Sequence, residues 1–197
     1  MPVRSLRILT FFVVTLVAIG AIWAPFVALT VTLVPEWFAV HVSPMAQIGD
    51  GCEMVVRLAT FVIFGRWIYV AGSNLVAVGM EDLEFTPAAR IWWFAVPFAN
   101  FFKPYQGMLE LWNASRGTWP HNQTAPLPAA WWACWLINGV IAQVLRLAGA
   151  ERSMAFTALY GSAIAGTALA ATAIALVLGI ARGQSALGRE DLSAVFA

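Results

Sequence analysis

Arg66 and Glu110 are the side chains of this chain best placed to do chemistry, one a guanidinium inside an apolar stretch and the other a carboxylate on a short amphipathic one. A charge within a membrane span costs about 2.5–3.5 kcal/mol on insertion scales, so it normally faces a partner or a water-filled cavity. Two chemistries are open. Arg66 can meet Glu110, Gln106 or free backbone carbonyls and fix an interrupted segment against a helix, which makes a binding surface. Alternatively, Glu110 is a general acid or base with Lys103 or Arg66 as its oxyanion partner. Little supports that second reading, because the sequence has no Gly-x-Ser-x-Gly, no His-Glu-x-x-His and no paired carboxylates inside a span. Arg66 also has a bland explanation, a long side chain snorkelling to the nearest interface. No residue is assigned as catalytic.

His41 and His121 occupy different connecting segments, without an i, i+4 partner or a Cys-x-x-Cys motif, so no metal site is expected. Histidine pairs of the kind that ligate haem are absent from the apolar runs, and no cofactor is expected. Cys134 lies within an apolar run and Cys52 near the boundary of another, a separation in depth that argues against a disulfide.

The elements that position these groups follow from composition. Hydrophobic residues make up 61% of the chain and charged ones 11%, against about 45–50% and 25% in soluble domains, which marks an integral membrane protein. A net charge of +1 provides no basic surface for nucleic acid. Four stretches can span a bilayer, at about 8–34, 54–78, 129–147 and 154–181. The first is 27 residues without a charge, longer than the usual 7–15 of a signal peptide, so it is read as a retained helix. Residues 35–51 read as a loop carrying Glu36, His41 and Asp50, and Glu53 precedes Arg57 by the four residues that favour a helical ion pair. In the last span Gly161 and Ala165, and Ser162, Gly166 and Ala170, recur every fourth residue, the spacing at which helix backbones approach closely in lipid.

Residues 86–115 behave differently. The uncharged stretch Ile91–Phe102 has 12 residues, about 18 Å of helix against a hydrocarbon core of about 30 Å, and Pro97 interrupts it. Pro104 suits a first helical turn, and the helix it opens gathers Asn100, Lys103, Gln106, Glu110 and Asn113 on one side. Phe98, Phe101, Tyr105, Met108, Leu109 and Trp112 gather on the other, as in a helix lying at the interface. If this segment does not cross, four crossings place both termini, Arg90, Lys103 and Arg116 on one side, cytoplasmic by the positive-inside bias, with Arg146 and Arg152 opposite. The expected fold is all-α, a single membrane domain of four transmembrane helices plus a re-entrant or interfacial segment.

Trp67, Asn74, Thr86, Pro87, Trp92, Trp93, Phe94, Pro97, Asn100, Pro104, Tyr105, Gln106, Glu110 and Trp112 together match a motif set over about residues 60–115, extending loosely to 131–136. On these residues the chain resembles a bacterial membrane family designated domain of unknown function 4328. The arginine of that family's pattern falls on Val70, with Arg66 one turn earlier. The resemblance implies a four-helix fold in a bacterial inner membrane and no particular activity.

The expected role is a non-enzymatic binding or accessory module. Arg66, Asn74 and Asn100 would hold the broken segment, with Tyr105, Gln106 and Glu110 beside them. Lys103 and Arg116 would contact an anionic lipid headgroup, and Trp92, Trp93 and Trp112 would pack at the acyl boundary. Its partners would be membrane lipids, another integral membrane subunit or a second copy of the chain. A small enzyme acting on lipid and a small transporter or channel are the alternatives, the latter lacking an inverted repeat or an acid deep in a span.

Overall fold

The computed structural model describes residues 3–148 and 152–195, and side chains within 3–144 and 159–187. The side chains of Arg146, Glu151, Arg152 and Arg189 lie outside that description.

The first apolar run folds as two helices, α1 (Arg7–Gly20) and α2 (Trp23–Leu33), where a single one was expected. Pro25 explains the break. It has no N–H to donate to Ala21 and its ring would crowd that carbonyl, so the helix restarts at Trp23 and leaves Pro25 in a first turn, where no donor is missed.

Residues 35–51, expected to be a loop, are helical instead. A short turn α3 (Pro35–Trp37) leads through a wide π turn at Phe38–Val42 and a 3-10 turn at Ser43–Met45 into α4 (Ala46–Ala77). Pro35 and Pro44 fall in first turns, where their rings are preorganised. Near hydrocarbon, a backbone that bonds to itself is also cheaper than an open loop.

The interrupted segment becomes α5 (Ala89–Trp92), a 3-10 turn at Ala99–Phe101 and α6 (Lys103–Ala114). Between them Phe98 has φ of 63°, a left-handed backbone that bulky residues rarely adopt. α7 (Pro126–Ala148) starts at a proline three residues before the expected boundary. α8 (Arg152–Val195) runs well past the expected end at 181, because residues 182–195 end the apolar run but contain no proline to stop the helix.

Among the described residues there is no strand, and four helical stretches are long and apolar enough to cross a membrane: Arg7–Leu33, Pro35–Ala77, Pro126–Val144 and Leu159–Leu187. Residues 85–115 are not among them. α7 packs along α8, α1 packs on both α4 and α8, and α5 and α6 close over one end. The core there joins Trp67, Leu75, Leu111, Leu176 and Ile180, all fully buried.

One hydrogen-bond network fixes the number of crossings. The Arg4 N–H donates to Asn74 Oδ1 (2.8 Å), and Asn74 Nδ2 donates to the Arg4 carbonyl (2.9 Å) and to Gln184 Oε1 (3.0 Å). Gln184 Nε2 in turn donates to the Ala71 carbonyl (2.9 Å) and to Ser115 Oγ (3.1 Å). The N-terminal segment, the last turns of α4 and α6, and α8 near Gln184 therefore share one end of the bundle, called here the near end. An even number of spans is required, and residues 85–115 do not add a fifth.

Gln184 and Asn74 are 5% and 4% exposed, so removing either amide strands buried donors and acceptors at about 1–3 kcal/mol. Gln184→Ala is expected to lower the unfolding free energy in detergent by that amount; an unchanged free energy would show that the network is not formed.

Candidate functional site

The interrupted segment is held by a buried ion pair. α5 carries Arg90, whose guanidinium enters the space between α4 and α6 and is fully buried there. Arg90 Nη2 donates to Glu110 Oε1, and Arg90 Nε donates to the Gly107 carbonyl at 3.3 Å. Glu110 Oε2 accepts the backbone N–H of Glu84 (2.6 Å), and Oε1 accepts that of Phe85 (3.3 Å). Both carboxylate oxygens are thus committed, and the chain entering the segment is tied to the helix that leaves it. Burial pushes the Arg90 guanidinium below its ordinary value, and the charge and hydrogen bond of Glu110 oppose that shift. An arginine remains cationic against such a carboxylate.

Two glycines make room for this cation. A Cβ at Gly72 would lie 2.7 Å from Arg90 Nη1 and 3.3 Å from Pro87 Cα, and one at Gly107 would lie 3.3 Å from Arg90 Cγ. Arg90 Nη1 has no protein partner, and neither does the buried Oδ1 of Asn100.

The expectation that Arg66 meets Glu110 is corrected by this geometry, since the partner is Arg90. Arg66 is exposed on α4, 5.7 Å from the centroid of the Tyr69 ring, and Val70 is buried. Asn74 belongs to the near-end network. No hydrogen bond or ion pair among the described residues brings Arg66, Asn74 and Asn100 together.

The polar side expected for α6 is split as well. Gln106 is exposed, but Glu110 and Asn113 are buried, Asn113 donating to the carbonyls of His121 (2.9 Å) and Gln123 (2.6 Å). Lys103 pairs with Glu84 Oε1 at 3.2 Å. The exposed Arg116 lies 3.8 Å over the half-buried Trp112 ring. These two cations are 13 residues apart, about 20 Å of helix, and do not converge on one headgroup. Trp92 is 70% exposed, whereas Trp93 and Tyr105 are half-buried. Trp132 donates Nε1–H to the Phe101 carbonyl (3.0 Å) and stacks on Trp135, tying the segment to α7.

The small residues of α8 have unequal surroundings. Nothing lies within 4 Å of a Cβ built on Gly161, and for Gly166 only Asn138 Nδ2 does, at 4.0 Å. Ala165 and Ala170 are buried. The tightest approaches come further along, where a Cβ on Gly179 would meet the Trp112 ring at 2.4 Å and one on Gly183 the Ser115 carbonyl at 2.3 Å.

What those small residues leave open is a chamber. α4 and α7 are held apart by α1 and α8 behind them, and the gap is a cavity of about 610 Å³. Gly65 lines one wall, Gly166, Ala170 and Ala173 another, and Ile91 and Phe94 of the interrupted segment reach into its near end. Glu53 and Arg57 stand at its far end.

Arg90, Gln184 and the chamber escaped the sequence reading. Gly72 in α4 and Gly107 in α6, the two positions that leave room for a side chain to enter, are the available signal for the first.

The family model described as Domain of unknown function (DUF4328) matches residues 39–184. No curated protein and no solved structure matches the chain.

Proposed function

The chain belongs to the DUF4328 family, and from that premise we propose that it is a non-enzymatic lipid-binding module of a bacterial inner membrane with both termini cytoplasmic. The orientation rests on charge. Arg4, Arg7, Lys103, Arg116 and Arg182 gather toward the near end, while Arg57 near the far end is already paired with Glu53. The chamber between α4 and α7 carries the lipid-binding reading. Its volume lies within the range of small-molecule sites, its walls are mostly apolar, and it is lined by helices long enough to span.

The reading does not need the cations first considered. Lys103 and Arg116, with the exposed Phe98, Phe101 and Trp92 nearby in sequence, form an edge suited to the anionic headgroups of the cytoplasmic leaflet, which moors the module without defining a pocket. Glu110, the carboxylate considered for catalysis, is engaged on both oxygens. An accessory role beside another membrane subunit or a second copy is compatible with this edge.

Native mass spectrometry of the full chain released from mild detergent tests the proposal. One lipid per chain is expected to survive. Gly166→Leu and Ala170→Phe, which project bulk into the chamber, are expected to reduce that occupancy at least tenfold while the protein stays monodisperse and folded. Equal lipid retention by the filled variants would refute the chamber as the site.

A further inference from the structure

We infer that the chamber holds one acyl chain of a phospholipid from the leaflet at the far end, with the phosphate beside Arg57 and the chain descending toward Phe94. This rests on the lipid-binding reading and adds the ligand's class, depth and direction.

The depth comes from counting residues along the walls. On α4 the lining runs from Glu53 to Ile68, and on α8 from Ser162 to Val177. Both intervals are 15 residues, about 22 Å at 1.5 Å per residue. Half of a bilayer of about 40–45 Å, headgroup regions included, is about 20–22 Å. The chamber is therefore one leaflet deep, and its near end is closed by Ile91 and Phe94 where a chain from that leaflet would end.

The shape suits the occupant: a cavity of about 610 Å³ drawn out over the roughly 22 Å from Glu53 to Ile68 is an elongated space that an extended acyl chain can follow.

Polarity sets the direction. Along the chamber the hydroxyls are used by their own helices: Thr60 donates to the Val56 carbonyl (2.7 Å), Ser162 to that of Leu159 (2.9 Å) and Thr167 to that of Ala163 (2.8 Å). They leave an apolar wall for hydrocarbon. At the mouth Arg57 pairs with Glu53, yet its side chain remains 70% exposed, a cation open to a phosphate. Asn138 on α7 also lines the chamber and has no side-chain partner among the described residues. It lies beside Gly166, one turn inside the chamber from Ser162, where the ester carbonyl of a phospholipid would accept its N–H.

The test uses the full chain in vesicles of phosphatidylethanolamine and phosphatidylglycerol containing a trace of phospholipid with a photoreactive group at the end of one acyl chain. Crosslinks are expected on residues 91–94 and 131–135 at the chamber floor, and a lipid with the reactive group in its headgroup is expected to label near 57 and 138. Arg57→Gln combined with Asn138→Leu, neither a core residue, is expected to cut floor labelling at least fivefold while thermal unfolding is unchanged. Undiminished floor labelling by that variant would overturn the assigned headgroup end but leave lipid binding intact. Chain-end labelling confined to the mouth would overturn the direction. Loss of all retained lipid from the unmodified protein would overturn both the direction and the function.

Discussion

Glu110→Gln is expected to destabilise the protein by about 3–5 kcal/mol, because it leaves the Arg90 guanidinium buried without a counter-charge. The side chain of Arg90 is fully inaccessible and that of Glu110 only 6% exposed, so water cannot replace the lost interaction. Arg90→Met is expected to cost less. Glu110 would keep the N–H groups of Glu84 and Phe85 as hydrogen-bond partners on both oxygens. The double variant is expected to recover part of the loss, giving a coupling energy of the sign that marks a direct pair. Unfolding of the four proteins in mixed micelles measures this cycle. Equal, additive losses would show that the two residues act independently.

Gly183→Ala is the second large effect. The added Cβ would lie 2.3 Å from the Ser115 carbonyl oxygen and 3.0 Å from its carbon, both backbone atoms that cannot swing aside. α8 must then move away from the end of α6, and the neighbouring bonds of Gln184 to Ser115 and Ala71 are lost with it. Overpacking of this kind costs about 1–3 kcal/mol, and the broken bonds add to it. The same substitution at Gly161 meets nothing within 4 Å and replaces a poor helix former, so it is expected to be neutral or stabilising by up to about 1 kcal/mol. Thermal melts of the two variants decide the matter, and similar melts would mean that the close approach at Gly183 is not present in the bilayer.

The sequence disclosed the spans because hydrocarbon imposes a simple rule, about 20 apolar residues per crossing, which residues 8–34 satisfy and 91–102 do not. Its resemblance to the DUF4328 family is shown by the match over 39–184. Partner choice was not legible. Glu110 stood out as the carboxylate of α6, but its cation comes from 20 residues upstream, where Arg90 reads as an ordinary boundary charge. Arg66 looked better by sequence. It lies six residues before Gly72, about 120° around α4 from the face that receives Arg90, and a single helix does not announce which face its neighbour will cover. The Asn74–Gln184 bond spans 110 residues and leaves no local trace. The chamber was illegible for a related reason. Small residues at intervals of four permit close packing, but whether a second helix fills the space depends on tertiary arrangement, and here α4 and α7 do not close.

A density map of the protein in a nanodisc of bacterial phospholipid tests the lipid chamber most directly. The account predicts a continuous rod of non-protein density between α4 and α7, starting beside Arg57 and stopping against Phe94. Direct contact of α4 with α7, with Gly65 packed against Trp135 and no space between them, would contradict it.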